Sequence, residues 1–433
     1  MTSTQAFGPR LRASRLAKGL SLSEFARRLY YSKGHVSRIE TGFQAPSMEF
    51  VRRCDAELEA NGELVAMMAG ALPSASPPPA DPDDEGVWMM AMAPDGSSSF
   101  TPLGRRNVLL GGAAILAGLG TTAAFPAAAS ASVSVDGGEQ LQHHRRLLEA
   151  ARGLGQVAPP GAVLPMLVGQ LQALRTLAKE TRGRDFTDVA TLSARTAEFA
   201  GWMAQEAGDV GSAGWWSGKA AQVATTAGDH HTASYALVRR ALITMYQGDA
   251  AETVALARQA QKPGTPPRIR GLAAQREAQG HALAGNHAEC MRALDVAAEQ
   301  LAAARAQVAD EPVIGTSHIA DPVAIVTGWC LYDLGRPKEA AAVLDREIQR
   351  IPPTAVRART RFGVRQALAH AAANELDRAC ELTRATLGQA AAVGSATILQ
   401  DLRRLAATLR RWHTHPGVRA LEPALAATFY RGV

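Results

Sequence analysis

A chain of 433 residues, 47% of them apolar, is too long and too hydrophobic to be a disordered tail, and its length predicts two or three compact units. The formal net charge of +6 is small for that length, which excludes a uniformly basic coat and leaves a local patch to meet any anionic partner. Cys54, Cys290, Cys330 and Cys380 stand alone within helical patterns, predicting buried free thiols instead of a disulfide framework or a metal cluster.

At the N-terminus no apolar core follows the start, so a signal peptide is not expected. Phe7, Leu11 and Leu16 predict an inward stripe on a first helix ending at Gly19, with Arg10, Arg12 and Lys18 near phosphates. Ser21 followed by Glu24 forms a capping box, so a second helix starts at Leu22 and buries Phe25, Ala26 and Leu29. Ser32 caps a third helix with Val36 and Ile39 turned inward, and Gly42 and Pro46 stop it. Two short helices joined by so few residues make a helix-turn-helix. The outward face then carries Lys33, His35, Ser37 and Arg38, and Gly34 leaves room for close approach. Such a helix fits the major groove of DNA, where Lys or Arg donates to guanine O6 and N7 and Ser serves either kind of base edge. Ser21, Arg10 and Arg12 complete the set of DNA-binding candidates. Residues 1–40 hold eight Lys or Arg against two acidic residues, an excess suited to a phosphate backbone. Phe50, Val51, Cys54 and Leu58 predict a fourth helix, and Leu64, Val65 and Met68 a fifth, which closes a domain over residues 1–70.

Residues 7–68 resemble the Cro/C1-type (XRE) helix-turn-helix family, most closely in His35-Val36-Ser37-Arg38-Ile39-Glu40-Thr41-Gly42. The resemblance implies a five-helix domain, a structural ion pair between Arg15 and Glu40, base-facing positions at Lys33, Gly34 and Arg38, and dimers on palindromic double-stranded operators. Leu22 stands where the family often has a Gln that touches a phosphate and a base. That departure bears on one contact and leaves the apolar pattern intact.

Residues 71–107 are rich in Pro, Ser and acidic residues and read as a flexible or extended linker, with Trp88-Met89-Met90-Ala91-Met92 as an apolar island. Then Arg105-Arg106 precedes a run without charge from Asn107 to Val135, 29 positions long. Its length can span a bilayer with the N-terminus inside, and it is similar to a twin-arginine export signal displaced far from the usual position. The Gly, Ala and Ser content and Pro126 weaken it as a span. The expectation is a cytoplasmic protein in which residues 108–125 form an apolar helix packed on the body or on a second subunit. The alternative is a single-pass anchor across residues 108–135, with the N-terminus in the cytoplasm and the repeat domain outside it.

From residue 139 to 425 the pattern is helical throughout. A turn phrase recurs at Gly208-Asp209, Gly248-Asp249, Gly285-Asn286, Gly335-Arg336 and Asn374-Glu375, at intervals of 40, 37, 50 and 39 residues. An apolar helix with a bulky ring (Phe199 and Trp202, Tyr246, Trp329 and Tyr332, Phe362) precedes the turn, and a helix of small residues follows. Helical pairs of this kind bury their apolar faces only by stacking on one another. Residues 190–410 resemble tetratricopeptide repeats at a longer spacing, implying an all-α superhelix that takes a peptide, a small molecule or another protein. The pairing of such a head and body also resembles regulators of high-GC Gram-positive bacteria.

No catalytic set assembles. His230-His231, His281, His287, His413 and His415 have no metallopeptidase spacing, and Gly111-Gly112 and Gly118–Gly120 lack the Lys-Ser or Lys-Thr of a phosphate loop. No enzyme activity, cofactor or metal is expected. The sequence predicts a DNA-binding transcription regulator, homodimeric through its C-terminal region. A protein-interaction scaffold with little DNA selectivity is the competing class.

Overall fold

The computed structural model describes residues 3–69, 87–92, 98–103, 137–306, 314–315 and 319–430. Five helices come first: α1 Ser3–Ala17, α2 Leu22–Leu29, α3 Lys33–Glu40, α4 Met48–Leu58 and α5 Glu63–Ala69. Ser21, Ser32 and Ser47 each accept a hydrogen bond from the backbone N–H three residues on, so serine caps open α2, α3 and α4. The capping box is half made, because the Glu24 carboxylate accepts from Arg28 (2.7 Å). Phe7, Leu11, Phe25, Leu29, Val36, Ile39, Phe50, Val51 and Leu64 form one buried core.

Leu16 is not part of that core; it is 57% exposed. Steps of four residues keep side chains on one helical face, and from Phe7 and Leu11 the next step lands on Arg15. Leu16, nine residues beyond Phe7, points to the opposite side, and Arg15 takes the inward place with 5% exposure.

Within the stretch read as a linker, β1 Val87–Met92 and β2 Ser98–Leu103 pair antiparallel from Val87 opposite Leu103 to Met92 opposite Ser98. The apolar island is therefore a strand, the one departure from an all-α fold among the described residues. Residues 108–135 lie outside the described residues. Among the described residues no helix is long and apolar enough to cross a membrane.

The remaining helices are α6 Gly137–Leu154, α7 Pro160–Glu180, α8 Gly183–Glu206, α9 Val210–Thr226, α10 His230–Gln247, α11 Ala250–Gln259, α12 Pro267–Leu283, α13 His287–Ala306, α14 Pro322–Asp333, α15 Pro337–Ile348, α16 Val356–Ala372, α17 Leu376–Val393, α18 Ala396–Leu409 and α19 Pro416–Tyr430. They make a repeating, tetratricopeptide-like array. All five turn phrases connect the two helices of a pair, and Gly208, Gly248, Gly285, Gly335 and Asn374 all have positive φ.

The chain divides into two compact units. One comprises Met1–Ala75, Gln156–Ala158 and His230–Val433; the other comprises Ser76–Gly155 and Pro159–Asp229. In the latter, α8 packs between α7 and α9, and β2 lies beside α7 and α9. A Cβ on Gly201 of α8 would lie 3.2 Å from Trp216 Cβ and 3.3 Å from the Ala213 carbonyl oxygen of α9, so the two axes approach closely. The former contains the five-helix head and α10–α19. Its array is threaded by a ring ladder, Tyr246 to Trp329 (5.8 Å) and Trp329 to Phe362 (6.2 Å). Arg365, 3% exposed, stacks 3.1 Å over Trp329 and donates twice to Asp401 (2.9 and 3.0 Å). All four cysteines are buried and free. Cys290 and Cys330, forty residues apart in sequence, meet in the core, where burial and the neighbouring thiol push the Cys330 thiol well up.

Candidate nucleic-acid interface

The third helix owes its orientation to two buried side chains. Val36 is fully buried and Ile39 is 1% exposed. The opposite face presents Lys33, Gly34 and Arg38, all exposed, with Ser37 half-buried beside them. Arg38 Nε donates to Gln44 Oε1 (3.2 Å), a contact that pre-positions the guanidinium without consuming its other donors. A Cβ on Gly34 would sit 3.7 Å from the Arg38 guanidinium, ordinary contact, so the backbone at this position lies open to a ligand.

His35 does not share that face. Its ring stacks on Tyr31 (4.9 Å between centroids, 21° between planes) and meets the edge of Phe50 (5.6 Å). Burial, then the charges of Arg38 and Arg411, lower its pKa. Ser21 is exposed, but its oxygen is occupied by the cap of α2. On α1, Arg12 is exposed and Arg10 pairs with Glu63 (2.5 Å). The structure thus gathers Lys33, Gly34, Ser37 and Arg38 on one surface and turns His35 away from it.

Beneath the interface, Arg15 and Glu40 make a two-pronged pair, Nε to Oε1 at 2.6 Å and Nη2 to Oε2 at 2.9 Å, and Arg15 Nη1 donates to the Leu20 carbonyl (2.7 Å). Both side chains are under one tenth exposed. The pair ties α1 to the end of α3.

Residues 6–68 match the family model of a helix-turn-helix domain. No curated protein matches the chain. Among solved structures, a Rap protein complexed with competence and sporulation factor is similar to it at 11% identity, over 67% of this chain and 98% of that one, with a TM-score of 0.41.

The helix-turn-helix domain is seated on the array by its α4 and by the turns flanking α2 and α4; among the described residues no hydrogen bond or ion pair joins α3 to the array. Arg411, which follows α18, donates to Glu49 Oε1 (2.6 Å) and the Tyr31 hydroxyl (2.9 Å), and its guanidinium lies 3.9 Å over the Tyr31 ring. Thr408 takes the other Glu49 oxygen (2.8 Å). Burial and the Glu49 charge push the Tyr31 hydroxyl up to about 12. Arg52 pairs with Asp333 (3.1 Å), which also accepts from Trp329 Nε1 (3.0 Å), and Arg53 donates to the Ala372 carbonyl (2.6 Å). Tyr30, at φ +56 between α2 and α3, has its carbonyl held by Arg411 (3.3 Å) and its ring between Arg53 and Lys338.

Two repeat turns touch the domain's backbone. A Cβ on Gly335 (φ +76) would lie 2.3 Å from the Arg52 carbonyl oxygen, and one on Gly285 (φ +78) would lie 2.8 Å from Gly62 Cα. Around Gly248, in the equivalent turn, there is open space. One turn phrase therefore does two jobs, reversing the chain everywhere and receiving the helix-turn-helix domain at two places. Sequence reasoning missed this seam. Its partners stand hundreds of residues apart and no local pattern joins them.

Proposed function

We propose that this protein is a non-enzymatic, sequence-specific DNA-binding transcription regulator whose helical array holds the helix-turn-helix domain and receives a peptide, small-molecule or protein signal. The observation that carries the reading is the free outer face of α3. Lys33, Gly34 and Arg38 are exposed even though Glu49, Arg52, Arg53 and Tyr31 are engaged by the array. Arg38 and Lys33 read base edges, Ser37 supports them, and Arg10, Arg12 and Ser21 face the phosphates beside the groove. His35 serves the aromatic packing under the helix.

The regulator works as a homodimer joined through its C-terminal region and reads a palindromic operator. A single α3 of eight residues spans only a few base pairs, so two of them in a fixed relation are needed for specificity. It acts in the cytoplasm, where the chromosome is. Genome-wide footprinting tests the reading: reproducible protection of a two-fold symmetric motif is expected, and protection without a common motif would favour the scaffold instead.

A further inference from the structure

The turn that ends α3 carries the most exposed large apolar side chain of the helix-turn-helix domain. Phe43 is 87% exposed. One exposed ring on a protein surface needs no explanation by itself, but this one is held in a fixed frame beside the outward face of α3. Thr41 closes the helix, its backbone N–H and its hydroxyl both donating to the Ser37 carbonyl (3.0 and 2.8 Å). Gly42, at φ +77, donates to the Ile39 carbonyl (3.0 Å). The backbone N–H groups of Phe43 and Gln44 both donate to the Arg38 carbonyl (2.8 and 3.2 Å).

This is the left-handed glycine stop of a helix, in which the residue after the glycine commonly folds an apolar side chain back onto the last turn. The positions it would cover here are Ser37 and Arg38, both polar, so the ring has no apolar seat and stays in water. The segment from Thr41 to Met48 holds no acidic residue. Glu40 and Glu49, which flank it, are engaged by Arg15 and Arg411. An anionic duplex can therefore come as close to this turn as to Lys33 and Arg38.

We propose, on the reading of α3 as the recognition helix, that Phe43 is a specificity-determining residue whose ring contacts the 5-methyl group of a thymine beside the base pair read by Arg38. In the major groove thymine is the base that presents a methyl group, and a phenylalanine ring is one of the side chains that meet it. The Phe43 N–H lies on the Arg38 carbonyl, so the two side chains leave the backbone close together and reach neighbouring base pairs. Because hydrogen bonds already fix the backbone of the turn, little ordering is needed when the ring meets the methyl. Arg38 supplies the directional contact and Phe43 the apolar one.

The test uses the full chain and the duplex that it selects from a random pool, with each thymine of the motif replaced in turn by deoxyuridine. That change removes the methyl and keeps every hydrogen-bonding group. For the parent, one such replacement per half-site should weaken binding about fourfold, the size expected for one methyl no longer buried. Phe43→Ala should bind the thymine and deoxyuridine duplexes equally, at about the parent's affinity for the deoxyuridine duplex, while Phe43→Leu, still apolar, should keep a preference for thymine. An unchanged thermal midpoint, expected for a side chain in water, shows that each variant is folded. A motif without thymine, no position at which deoxyuridine weakens the parent, a thymine preference that survives in Phe43→Ala, or an equal loss on operator and random DNA in that variant would overturn the proposal. Arg38→Ala, run alongside, separates the two readings: a motif relaxed by Arg38→Ala with no thymine effect at Phe43 rejects this inference and leaves the DNA-binding reading standing, whereas a full chain that selects no motif rejects both.

Discussion

In the proposed reading, Arg38 carries the directional part of recognition. Its outward guanidinium, braced by Gln44 at 3.2 Å, can fork onto a guanine, so Arg38→Ala should cost about 1 to 3 kcal/mol on a matched operator and relax preference at one base pair. Competition binding against randomised sites measures both effects. Glu40 is a different kind of residue. Removing its carboxylate leaves the Arg15 charge buried and unpaired, expected to cost about 3 to 5 kcal/mol, most of what a domain of this size commonly has. Faster hydrogen exchange across α1–α3 in Glu40→Ala, with the array unchanged, is the expected signature. Glu277 gives a pH dependence. Burial raises its pKa, but bonds from His281, Arg258 and Gln261 outweigh burial and bring it down from 4.5 to about 2. The folded state binds this proton less readily than the unfolded chain, so the contribution is complete above pH 4.5 and fades as pH falls toward 2. Acid titration of Glu277→Gln should show a shallower loss of stability over that window.

At the scale of elements, the seam between α4 and the repeat turns makes its own prediction. Glu49 and Arg411 are each about one fifth exposed, between a surface pair and a buried one. A double-mutant cycle with Ala at both should therefore give a coupling of about 1 to 2 kcal/mol, read from protection of α4 amides. Gly335→Ala should loosen the same amides more, since the Arg52 carbonyl would have to retreat from a Cβ at 2.3 Å. What was legible in the sequence divides along the same line. Serine caps, the spacing of Val36 and Ile39, and the glycine turns of the repeats are local, and all are visible in the residues that make them. Leu16 was misread because its spacing from Phe7 follows the wrong helical step, and strand β1 because five apolar residues among prolines resemble an incidental patch. The inward turn of His35 depends on Tyr31 and Phe50 closing around it, a tertiary fact with no sequence period. The seam and the approach of Cys290 to Cys330 depend on pairings over tens to hundreds of residues, which a linear reading does not reach.

For the whole molecule, a seated helix-turn-helix domain is joined to an array that positions it. Light scattering of the full chain should give a dimer, and a monomer across a wide concentration range, with and without DNA, would remove the symmetric-operator proposal. Fractionation places the protein: recovery without detergent is expected, whereas membrane retention would support an anchor through residues 108–135. The central claim, that the array leaves the outer face of α3 free to read bases, is tested most directly by selecting binding sites for the full chain from a random duplex pool, alongside Arg38→Ala. The account predicts one enriched palindromic motif for the parent, with one position per half-site losing its preference in the variant. No enriched motif, or the same motif and affinity in both proteins, would contradict it.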